Sequence, residues 1–251
     1  MYKLVLFDLD GTLLRRDKTV SDYTLSVLQR CREKGILLGI ATARSAVNAA
    51  QFTAVISPEV VISSGGAYAE INGKCVYYRG FTPEETRAVI SEAKAHGCQI
   101  TVDSKDGHYA TYVKKNDLSW SGTILTDLED FDMSSQKICV EVKNDDAAVQ
   151  SILEAVPDCR CVKFTRSNWY MLTKSSATKE AAAEEVAKAI GIELSEAIAF
   201  GDDISDIGLM KACGLGIATA NAFKKAKKAA VDLCGDCDAD GVAVWIEKNL
   251  L

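Results

Sequence analysis

The chain has 251 residues, 48% of them hydrophobic, which fits one large globular domain or two smaller ones. Its 35 acidic and 29 basic residues are well mixed and give a net charge of −6, which argues against nucleic acid or an anionic membrane as the main partner. No apolar stretch approaches the roughly 20 residues of a membrane span, and the N-terminus lacks a secretory signal pattern. We therefore expect a soluble, cytoplasmic protein that acts on a small molecule.

The chain contains nine cysteines, an odd number that does not fit a fully paired secreted framework. Most of them, such as Cys31, Cys139 and Cys213, lie in apolar patterns and are expected to be reduced core residues. Cys234 and Cys237 have the spacing of a redox or half-zinc pair, but no second pair would complete a tetrahedral site. We interpret these two as ordinary loop residues.

The first third of the chain alternates apolar runs with a helical pattern. The runs at residues 3–7, 36–41 and 60–62 are short and continuous, as in strands buried on both faces. Ser21 is a suitable N-cap for a helix between the first two runs, and Gly35 follows its end. Strands that alternate with helices pair in parallel, so their carboxyl ends gather along one edge of the sheet. Ligands bind at that edge in open sheets of this kind.

The pattern changes in the middle of the chain. Asn72 and Gly73, between two short runs, predict a tight hairpin, and residues 82–85 form a capping box that opens a helix. Predicted strands follow at 99–102, 108–113, 138–142, 161–165 and 169–172, with a helix at about 145–156 and an unassigned segment at 116–135. Antiparallel strands with helices to one side describe a small α+β domain inserted into the parallel one.

After residue 175 the alternation of strands and helices returns. The predicted elements are a helix at 179–190, a strand at 197–200, a helix near 206–212, a strand at 215–218, a basic amphipathic helix at 223–230 and a last helix near 242–250. We therefore predict an α/β protein with a Rossmann-like parallel-sheet core, formed by residues 1–81 and 175–251, and an inserted α+β domain at residues 82–174.

Two carboxylates follow the first predicted strand directly. Asp8 and Asp10 are two residues apart on an extended segment, so their side chains project the same way and repel each other unless a cation or a proton lies between them. Gly11 lets the backbone turn sharply just past the strand. Taken alone, Asp10-Gly11 is equally typical of an ordinary turn.

Four groups of polar residues fall where strands of the predicted parallel sheet end. In chain order they are residues 8–12, Thr42, Lys179 and residues 201–206. Each alone has a plain structural alternative: Thr42 as a helix N-cap, Lys179 as a solvated helix charge, and Asp202 as part of an acidic turn. Together they supply carboxylates for a hard divalent cation, a hydroxyl, an ammonium group and helix N-termini that suit an anion. This combination indicates phosphate chemistry.

In order and spacing, the four motifs resemble the haloacid dehalogenase superfamily, and specifically its Cof-like phosphatases of subfamily IIB. The resemblance covers essentially the whole chain. That subfamily carries a cap domain between the second and third motifs, and here a domain-sized stretch separates Thr42 from Lys179. The resemblance therefore implies that residues 82–174 are a cap that selects the substrate.

The resemblance also implies a mechanism. Asp8 would attack phosphorus in line and form an aspartyl-phosphate that water then cleaves, with Asp10 as the general acid and base. Mg²⁺ would be held by Asp8, the backbone carbonyl of Asp10 and Asp202, since this cation prefers oxygen ligands. Thr42 and Lys179 would bind phosphoryl oxygens and offset the charge of the transition state.

Further site residues follow from the same resemblance. Asp206 would orient Lys179 or a metal-bound water. The expected additional contacts to phosphate or substrate are Gly11, Ala43, Arg44 and Ser205. Three positions depart from the family pattern: Ala43 replaces the usual glycine, Ser205 an asparagine, and Gly65 another asparagine. None of these changes removes the nucleophile, the acid or a metal ligand.

The expected activity is Mg²⁺-dependent hydrolysis of a small phosphorylated metabolite, such as a sugar phosphate or a phosphorylated cofactor. Four cap residues are candidates to close over the site: His108, Tyr109, Tyr112 and Trp120. Aromatic residues in short strands, however, more often belong to a core.

Two alternative functions stay open. A phosphomutase would need basic cap residues, for which Lys114, Lys115, Lys163 and Arg166 are available; a catalytically idle phosphometabolite sensor is the other. The sequence leaves the oligomeric state open.

Overall fold

The computed structural model describes residues 2–113, 122–142, 147–164 and 167–251. The chain divides into two compact units. The first unit comprises Met1–Ala43, Gln51–Tyr77 and Thr178–Leu251, and the second comprises Arg44–Ala50 and Tyr78–Ala177. The sequence analysis places these boundaries at residues 81 and 174 and does not separate the short segment at 44–50.

The N-terminal third contains five strands and two helices. In chain order they are β1 (Leu4–Phe7), α1 (Asp22–Glu33), β2 (Leu37–Ala41), α2 (Ala46–Ile56), β3 (Val60–Ser63), β4 (Tyr68–Ile71) and β5 (Lys74–Tyr78). As predicted, Ser21 caps α1 by accepting a hydrogen bond from the Thr24 backbone N–H. At the start of α2, Ser45 Oγ accepts from the Asn48 backbone N–H at 3.1 Å. Ser45 therefore caps this helix, and the interpretation of Thr42 as a helix N-cap is wrong.

The middle of the chain forms the second unit. It contains α3 (Pro83–Ala95), β6 (Gln99–Ser104), β7 (Gly107–Ala110), β8 (Thr123–Leu125), β9 (Lys137–Glu141), α4 (Ala147–Ala155), β10 (Cys159–Lys163) and β11 (Trp169–Lys174). The predicted capping box is present at the start of α3, between Thr82 and Glu85. The strand β8 lies in the segment that the sequence left unassigned.

The C-terminal third completes the first unit. It contains α5 (Lys179–Ile190), β12 (Ala197–Gly201), α6 (Ile207–Ala212), β13 (Leu215–Ala218), α7 (Lys224–Ala229), β14 (Asp232–Leu233) and α8 (Gly241–Asn249). The predicted elements of this third are confirmed, with ends that shift by a residue or two. The two-residue strand β14 is too short to leave a pattern in the sequence.

The first unit is built on an eight-stranded sheet with the order β14-β13-β12-β1-β2-β3-β4-β5. The strands from β14 to β3 pair in parallel, and β4 joins β3 in the antiparallel direction. All residues of β1 and β12 are buried, as expected for central strands with helices on both faces. Because β1, β2 and β12 run in one direction, their carboxyl ends meet at one edge of this sheet.

The second unit is built on a six-stranded sheet with the order β10-β11-β9-β6-β7-β8. Its first four neighbouring pairs are antiparallel, as predicted. The pair of β7 and β8 is parallel instead, because a long connection rather than a hairpin joins the two strands. One face packs against α3 and α4 through an apolar core that includes Ile100, Val102, Ile138, Val140 and Leu172.

All nine cysteines are free thiols, which agrees with the expected reduced state. Cys234 and Cys237 are buried between β14 and the start of α8. Burial raises the pKa of the Cys234 thiol to about 12, which keeps it protonated and unsuited to redox work. None of the described helices has the length and apolar character needed to cross a membrane.

Candidate active site

Lys179 is a buried cation in the first unit. It is the first residue of α5, whose N-cap Thr178 accepts a hydrogen bond from the Ala181 backbone N–H. Its ammonium group lies 2.8 Å from Asp8 Oδ1 and 2.6 Å from Asp206 Oδ1. The Lys179 side chain is only 2% exposed, so the interpretation of a solvated helix charge is wrong.

Gly66 controls how closely the loop after β3 approaches the start of α5. Its φ is +101°, and a Cβ at this position would come within 2.2 Å of the Thr178 carbonyl carbon and 2.5 Å of the Lys179 backbone nitrogen. The preceding Gly65 donates its backbone N–H to the Thr42 carbonyl at 3.1 Å. This glycine pair therefore ties the backbone that follows β2 to the backbone that carries Lys179.

Asp206 holds Lys179 and the loop after β12 at the same time. Its Oδ1 accepts from Lys179, and its Oδ2 accepts from the backbone N–H groups of Asp202 at 3.0 Å and Asp203 at 2.9 Å. A Cβ on Gly201 would come within 2.4 Å of the Asp206 Cβ, so this turn requires glycine. Of the two roles that the sequence suggested for Asp206, the geometry matches the orientation of Lys179.

Asp202 lies beside the turn that follows β1. Its Oδ1 accepts from the Thr12 hydroxyl at 3.2 Å. Gly11 has a φ of +85°, and a Cβ there would come within 2.5 Å of Asp202 Oδ2. Because Gly11 has no Cβ, the Asp202 carboxylate can lie next to its backbone. Thr12, which the sequence analysis did not single out, orients that carboxylate.

Two further residues fix the Gly11 turn. The Gly11 carbonyl accepts from Asn221 Nδ2 at 2.6 Å and from the Thr219 hydroxyl at 3.3 Å. Thr219 directly follows β13 and Asn221 lies two residues further on, so both obey the rule that polar residues at the carboxyl ends of parallel strands gather at one edge. No motif around Thr219 and Asn221 marks them as functional in the sequence, so they were not predicted.

Asp10 follows Asp8 by two residues and is half-exposed. Its Oδ1 pairs with the Lys18 ammonium group at 2.7 Å. The side chains of this pair are 37% and 50% exposed, so the pair lies open to solvent. Lys18 was not predicted; it is brought back to Asp10 by a tight turn between Arg15 and Thr19, in which its φ is +67°.

The structure places Thr42 at the same edge of the sheet as Asp8. β1 and β2 pair in parallel with Phe7 opposite Ile40, so Thr42 lies at the level of Leu9, one residue beyond Asp8. The Thr42 side chain is buried.

The remaining predicted contacts are distributed between the two units. Ala43 and Ser205 are half-buried residues of the first unit, Ser205 in the short turn before α6. Arg44 belongs to the second unit, where its guanidinium group donates to the Asn48 carbonyl at 3.4 Å. All the predicted site residues except Arg44 therefore belong to the first unit.

The carboxylates of this site lie close together and shift one another's pKa values. Burial raises the pKa of Asp8 well above its usual range, against the opposing effect of Lys179, and repulsion from Asp206 and Asp202 raises it further. Burial and repulsion from Asp206 and Asp203 raise the pKa of Asp202 to about 7. Although burial lowers the pKa of Lys179, Asp206 and Asp8 raise it above its usual range. Among the described residues, Lys179 is the one cation that contacts these carboxylates, so negative charge exceeds positive charge there.

A divalent cation fits this arrangement. Carboxylate oxygens of Asp8, Asp202 and Asp206 lie within 4.8 Å of one another. Asp206 uses both oxygens in hydrogen bonds, whereas Asp8 and Asp202 each keep one oxygen that no donor among the described residues contacts. Hard cations take such oxygens, and their charge would favour the ionised forms of both side chains.

Comparison with known proteins shows which protein family the chain matches. The model of one protein family, the haloacid dehalogenase-like hydrolases, matches residues 5–246. The chain is 26% identical to the HMP-PP phosphatase of Klebsiella pneumoniae, over 98% of this chain and 95% of that protein. It is 25% identical to the 5-amino-6-(5-phospho-D-ribitylamino)uracil phosphatase YcsE of Bacillus subtilis, over 99% of this chain and 96% of that protein.

Solved structures share the fold along the whole chain. A haloacid dehalogenase-like hydrolase from B. subtilis aligns with a TM-score of 0.87 at 23% identity, over 99% of this chain and 100% of that one. A sugar phosphatase of HAD subclass IIB aligns with a TM-score of 0.84 at 20% identity, over 98% of each chain. These likenesses confirm the predicted α/β fold. Since the family model spans nearly the full length, the chain belongs to the haloacid dehalogenase-like hydrolases, as its four motifs predicted.

Proposed function

We propose that this hydrolase is a Mg²⁺-dependent phosphomonoesterase that acts on small phosphorylated metabolites. The observation that carries the proposal is the buried contact of Lys179 with Asp8 and Asp206, beside the carboxylate of Asp202. A carboxylate attacks an anionic phosphate ester only where positive charge offsets the repulsion. Lys179 supplies part of that charge, and a cation held by the carboxylates of Asp8 and Asp202 would supply the rest.

In the proposed reaction Asp8 is the nucleophile. One of its carboxylate oxygens attacks phosphorus in line, the bond from phosphorus to the ester oxygen breaks, and an aspartyl-phosphate forms. Asp10 donates a proton to the departing alkoxide and later takes one from the water that cleaves the aspartyl-phosphate. Mg²⁺, held by Asp8, Asp202 and the backbone carbonyl of Asp10, would neutralise charge on the phosphoryl oxygens.

The other residues position the reacting groups. Lys179 offsets charge on the transferring phosphoryl group, and Asp206 keeps the ammonium group in place through its own contacts to the loop amides. Thr42 and the backbone amide of Ala43, at the same edge of the sheet, bind phosphoryl oxygens. Ser205 and the backbone of Gly11 complete the proposed contacts to the substrate.

The second unit is proposed to select the substrate. Curated relatives act on compounds as different as HMP-PP and 5-amino-6-(5-phospho-D-ribitylamino)uracil, which supports a small phosphorylated metabolite as the substrate class. Among the predicted cap contacts, the partly buried Tyr109 ring packs edge-on against Phe131 and against the apolar core, which favours a structural role. Tyr112 is 45% exposed and stays a candidate. Trp120 lies outside the described residues.

The test is a phosphate-release assay over a panel of phosphorylated metabolites and p-nitrophenyl phosphate, with Mg²⁺ and with EDTA. We expect metal-dependent release that Asp8→Asn abolishes and that the exposed Asp17→Asn leaves intact. Activity retained in Asp8→Asn would overturn the assignment of the nucleophile. Release that is unchanged in EDTA would overturn the role of the metal.

The same assay separates the two alternatives. A phosphomutase would yield an isomerised sugar phosphate without free phosphate. Of the basic residues predicted for a phosphomutase, Lys163 lies 5.1 Å from the centre of the Tyr170 ring. The others, Lys114, Lys115 and Arg166, lie outside the described residues. A sensor would bind phosphorylated metabolites without turnover of any of them. Either result would replace the phosphatase proposal.

A further inference from the structure

The turn that follows β1 is held from the C-terminal third of the chain. The Asn221 amide group donates from Nδ2 to the Gly11 carbonyl at 2.6 Å, and its Oδ1 accepts from the Cys237 backbone N–H at 2.9 Å. One side chain of the first unit therefore joins the turn after the proposed nucleophile to the loop that precedes α8. The reaction proposed above does not use Asn221.

A second link joins the same two segments further along the chain. The Arg15 guanidinium group donates to both carboxylate oxygens of Asp240, from Nε at 3.2 Å and from Nη2 at 2.7 Å. Two parallel hydrogen bonds of this kind fix the orientation of both groups. The Asp240 side chain is only 14% exposed, so the pair is partly shielded from solvent. We call Asn221, Arg15 and Asp240 the turn clamp.

The turn clamp rests on two loops that pack closely against each other. A Cβ on Gly241 would come within 2.1 Å of the Gly235 carbonyl oxygen. The Ala220 backbone N–H donates to that same carbonyl at 3.2 Å. The backbone around Asn221 is thereby joined to the backbone that leads to Asp240, and both members of the clamp share one support.

Gly11 stands between two groups of the proposed metal site. The carbonyl of Asp10, on one side, is a proposed Mg²⁺ ligand, and Thr12, on the other, donates to the proposed ligand Asp202 at 3.2 Å. Glycine has no Cβ and adopts many backbone conformations, so Gly11, with a φ of +85°, does not fix the turn by itself. A hydrogen bond to its carbonyl therefore orients the peptide groups on both sides.

The need of the Gly11 carbonyl for a donor does not by itself explain Asn221. The Thr219 hydroxyl donates to the same oxygen at 3.3 Å. Gly11 is also half-buried, at the edge of the sheet, where water can serve as a donor. Neither donor would join the turn to the loop that precedes α8. The bridge made by Asn221 therefore serves the placement of the turn.

We propose that Asn221 is a positioning residue for the metal site. It holds the Gly11 turn so that the Asp10 carbonyl and Asp202 bind Mg²⁺ together, and the rest of the turn clamp supports it. The inference rests on the metal-dependent phosphatase function proposed above. It gives Asn221 no contact with substrate or metal, since its effect on Mg²⁺ affinity passes through Gly11.

The experiment measures Mg²⁺ binding to the substrate-free protein by isothermal titration calorimetry. Asn221→Leu keeps the approximate size of the side chain but removes both hydrogen bonds, so we expect its Mg²⁺ dissociation constant to rise by about 10-fold, as for other groups that orient metal ligands. Asn249→Leu is the matched control, because the exposed Asn249 amide likewise donates to a backbone carbonyl, that of Trp245, at 2.8 Å. Its Mg²⁺ affinity should equal that of wild type.

Further variants test the rest of the turn clamp and guard against misfolding. Arg15→Met should raise the Mg²⁺ dissociation constant by about threefold, since the ion pair that it removes is partly exposed, and Arg15→Lys should restore part of the affinity. If Asn221→Leu does not fold, Asn221→Ala removes the same hydrogen bonds without adding apolar bulk, and the same 10-fold effect is expected.

A purely structural role of Asn221 predicts a different result. The midpoint of thermal unfolding without Mg²⁺ would fall, but the folded variants would bind Mg²⁺ as tightly as wild type; this would overturn the inference and leave the phosphatase function standing. A loss of kcat in Asn221→Leu that saturating Mg²⁺ does not recover would also overturn it. A wild-type protein that binds Mg²⁺ but releases phosphate from no substrate, p-nitrophenyl phosphate included, would instead overturn the proposed function.

Discussion

Both units bury a lysine against an aspartate, but they do so at different places in their sheets. In the first unit Lys179 meets Asp8, 171 residues away, where a helix starts beside the end of a strand. In the second unit Lys137 and Asp103 stand directly opposite each other on paired strands. Loops and caps therefore position the first pair, whereas strand register alone positions the second.

The surroundings of the two lysines also differ. Lys179 lies between the carboxylates of Asp8 and Asp206, with the carboxylate of Asp202 nearby. The Lys137 ammonium group lies 2.8 Å from Asp103 Oδ2, and Asp103 Oδ1 contacts His108 Nδ1. Several carboxylates around one ammonium group suit a divalent cation, whereas a lysine paired with one aspartate across two strands ties those strands together.

The largest expected effect comes from removing the lysine of the first site. Lys179→Met leaves Asp8 and Asp206 without their cation, and we expect hydrolysis of p-nitrophenyl phosphate to fall by about 10³-fold, since the lost charge acts mainly in the transition state. Steady-state phosphate release measures this. The matched control is Lys188→Met on the same helix, where the lysine side chain is 68% exposed and activity should be unchanged. A Lys179→Met enzyme within tenfold of wild type would remove Lys179 from the mechanism.

A second substitution tests whether loops position the first site. Gly66→Ala should destabilise the protein by about 3 kcal/mol or more, because its Cβ would overlap the Thr178 and Lys179 backbone at a positive φ. Gly73→Ala is the control: its φ is also positive, at +76°, but nothing lies within 4 Å. Its cost should be roughly 1–2 kcal/mol, the price of the backbone conformation alone. Urea denaturation compares the two, and equal losses would show that the close approach at Gly66 is unimportant.

The difference between the two sites also explains which of them the sequence could reveal. Asp8, Thr42 and Lys179 stand at the ends of regular elements, and parallel strands bring such positions to one edge whatever the details of packing. Asp103 and Lys137 become neighbours only through the register of β6 and β9, and register depends on the whole sheet. Their sequence context, alternating residues in short strands, predicts strands and nothing more.

Supporting residues of the first site were missed for a related reason. Asn221 and Thr12 act through single hydrogen bonds to the turn after β1, and no composition or spacing marks such contacts. The helix α2 was missed because its mostly apolar sequence lacks the one-sided pattern of a surface helix. The sequence analysis does not single out Gly66, because its contact with α5 exists only in the folded chain.

Stability should depend on pH in opposite senses at the two sites. Burial raises the pKa of Asp202 to about 7, so the metal-free folded state binds more protons than the unfolded chain from about pH 4 to pH 7, and stability falls as the pH rises through this window. Despite burial, Lys137 and His108 lower the pKa of Asp103, so its contribution is present above about pH 4 and is lost as the pH falls further.

Thermal unfolding of the metal-free protein over a pH series measures both effects. Asp202→Asn should reduce the loss of stability between about pH 4 and pH 7, and Asp103→Asn should reduce the loss of stability below about pH 4. Mg²⁺ binds the ionised carboxylates, so it should raise Tm more at pH 8 than at pH 5.5. A larger Mg²⁺ effect at the lower pH would contradict the assignment of Asp8 and Asp202 as ligands.

The smallest expected effect concerns the hydroxyl that orients Asp202. The Thr12 hydroxyl lies 3.2 Å from Asp202 Oδ1 and lowers the pKa of this carboxyl against the larger effects of burial and repulsion. Thr12→Val keeps the shape of the side chain but removes the donor, so the proton should compete better with the metal. We expect the Mg²⁺ concentration for half-maximal activity to rise by about 3- to 10-fold, in line with one lost hydrogen bond to a charged group. Thr12→Ser restores the donor and should restore Mg²⁺ affinity. If Thr12→Val and Thr12→Ser behave alike, the turn after β1 acts through its shape, and its hydrogen bond to Asp202 has no part in holding the metal.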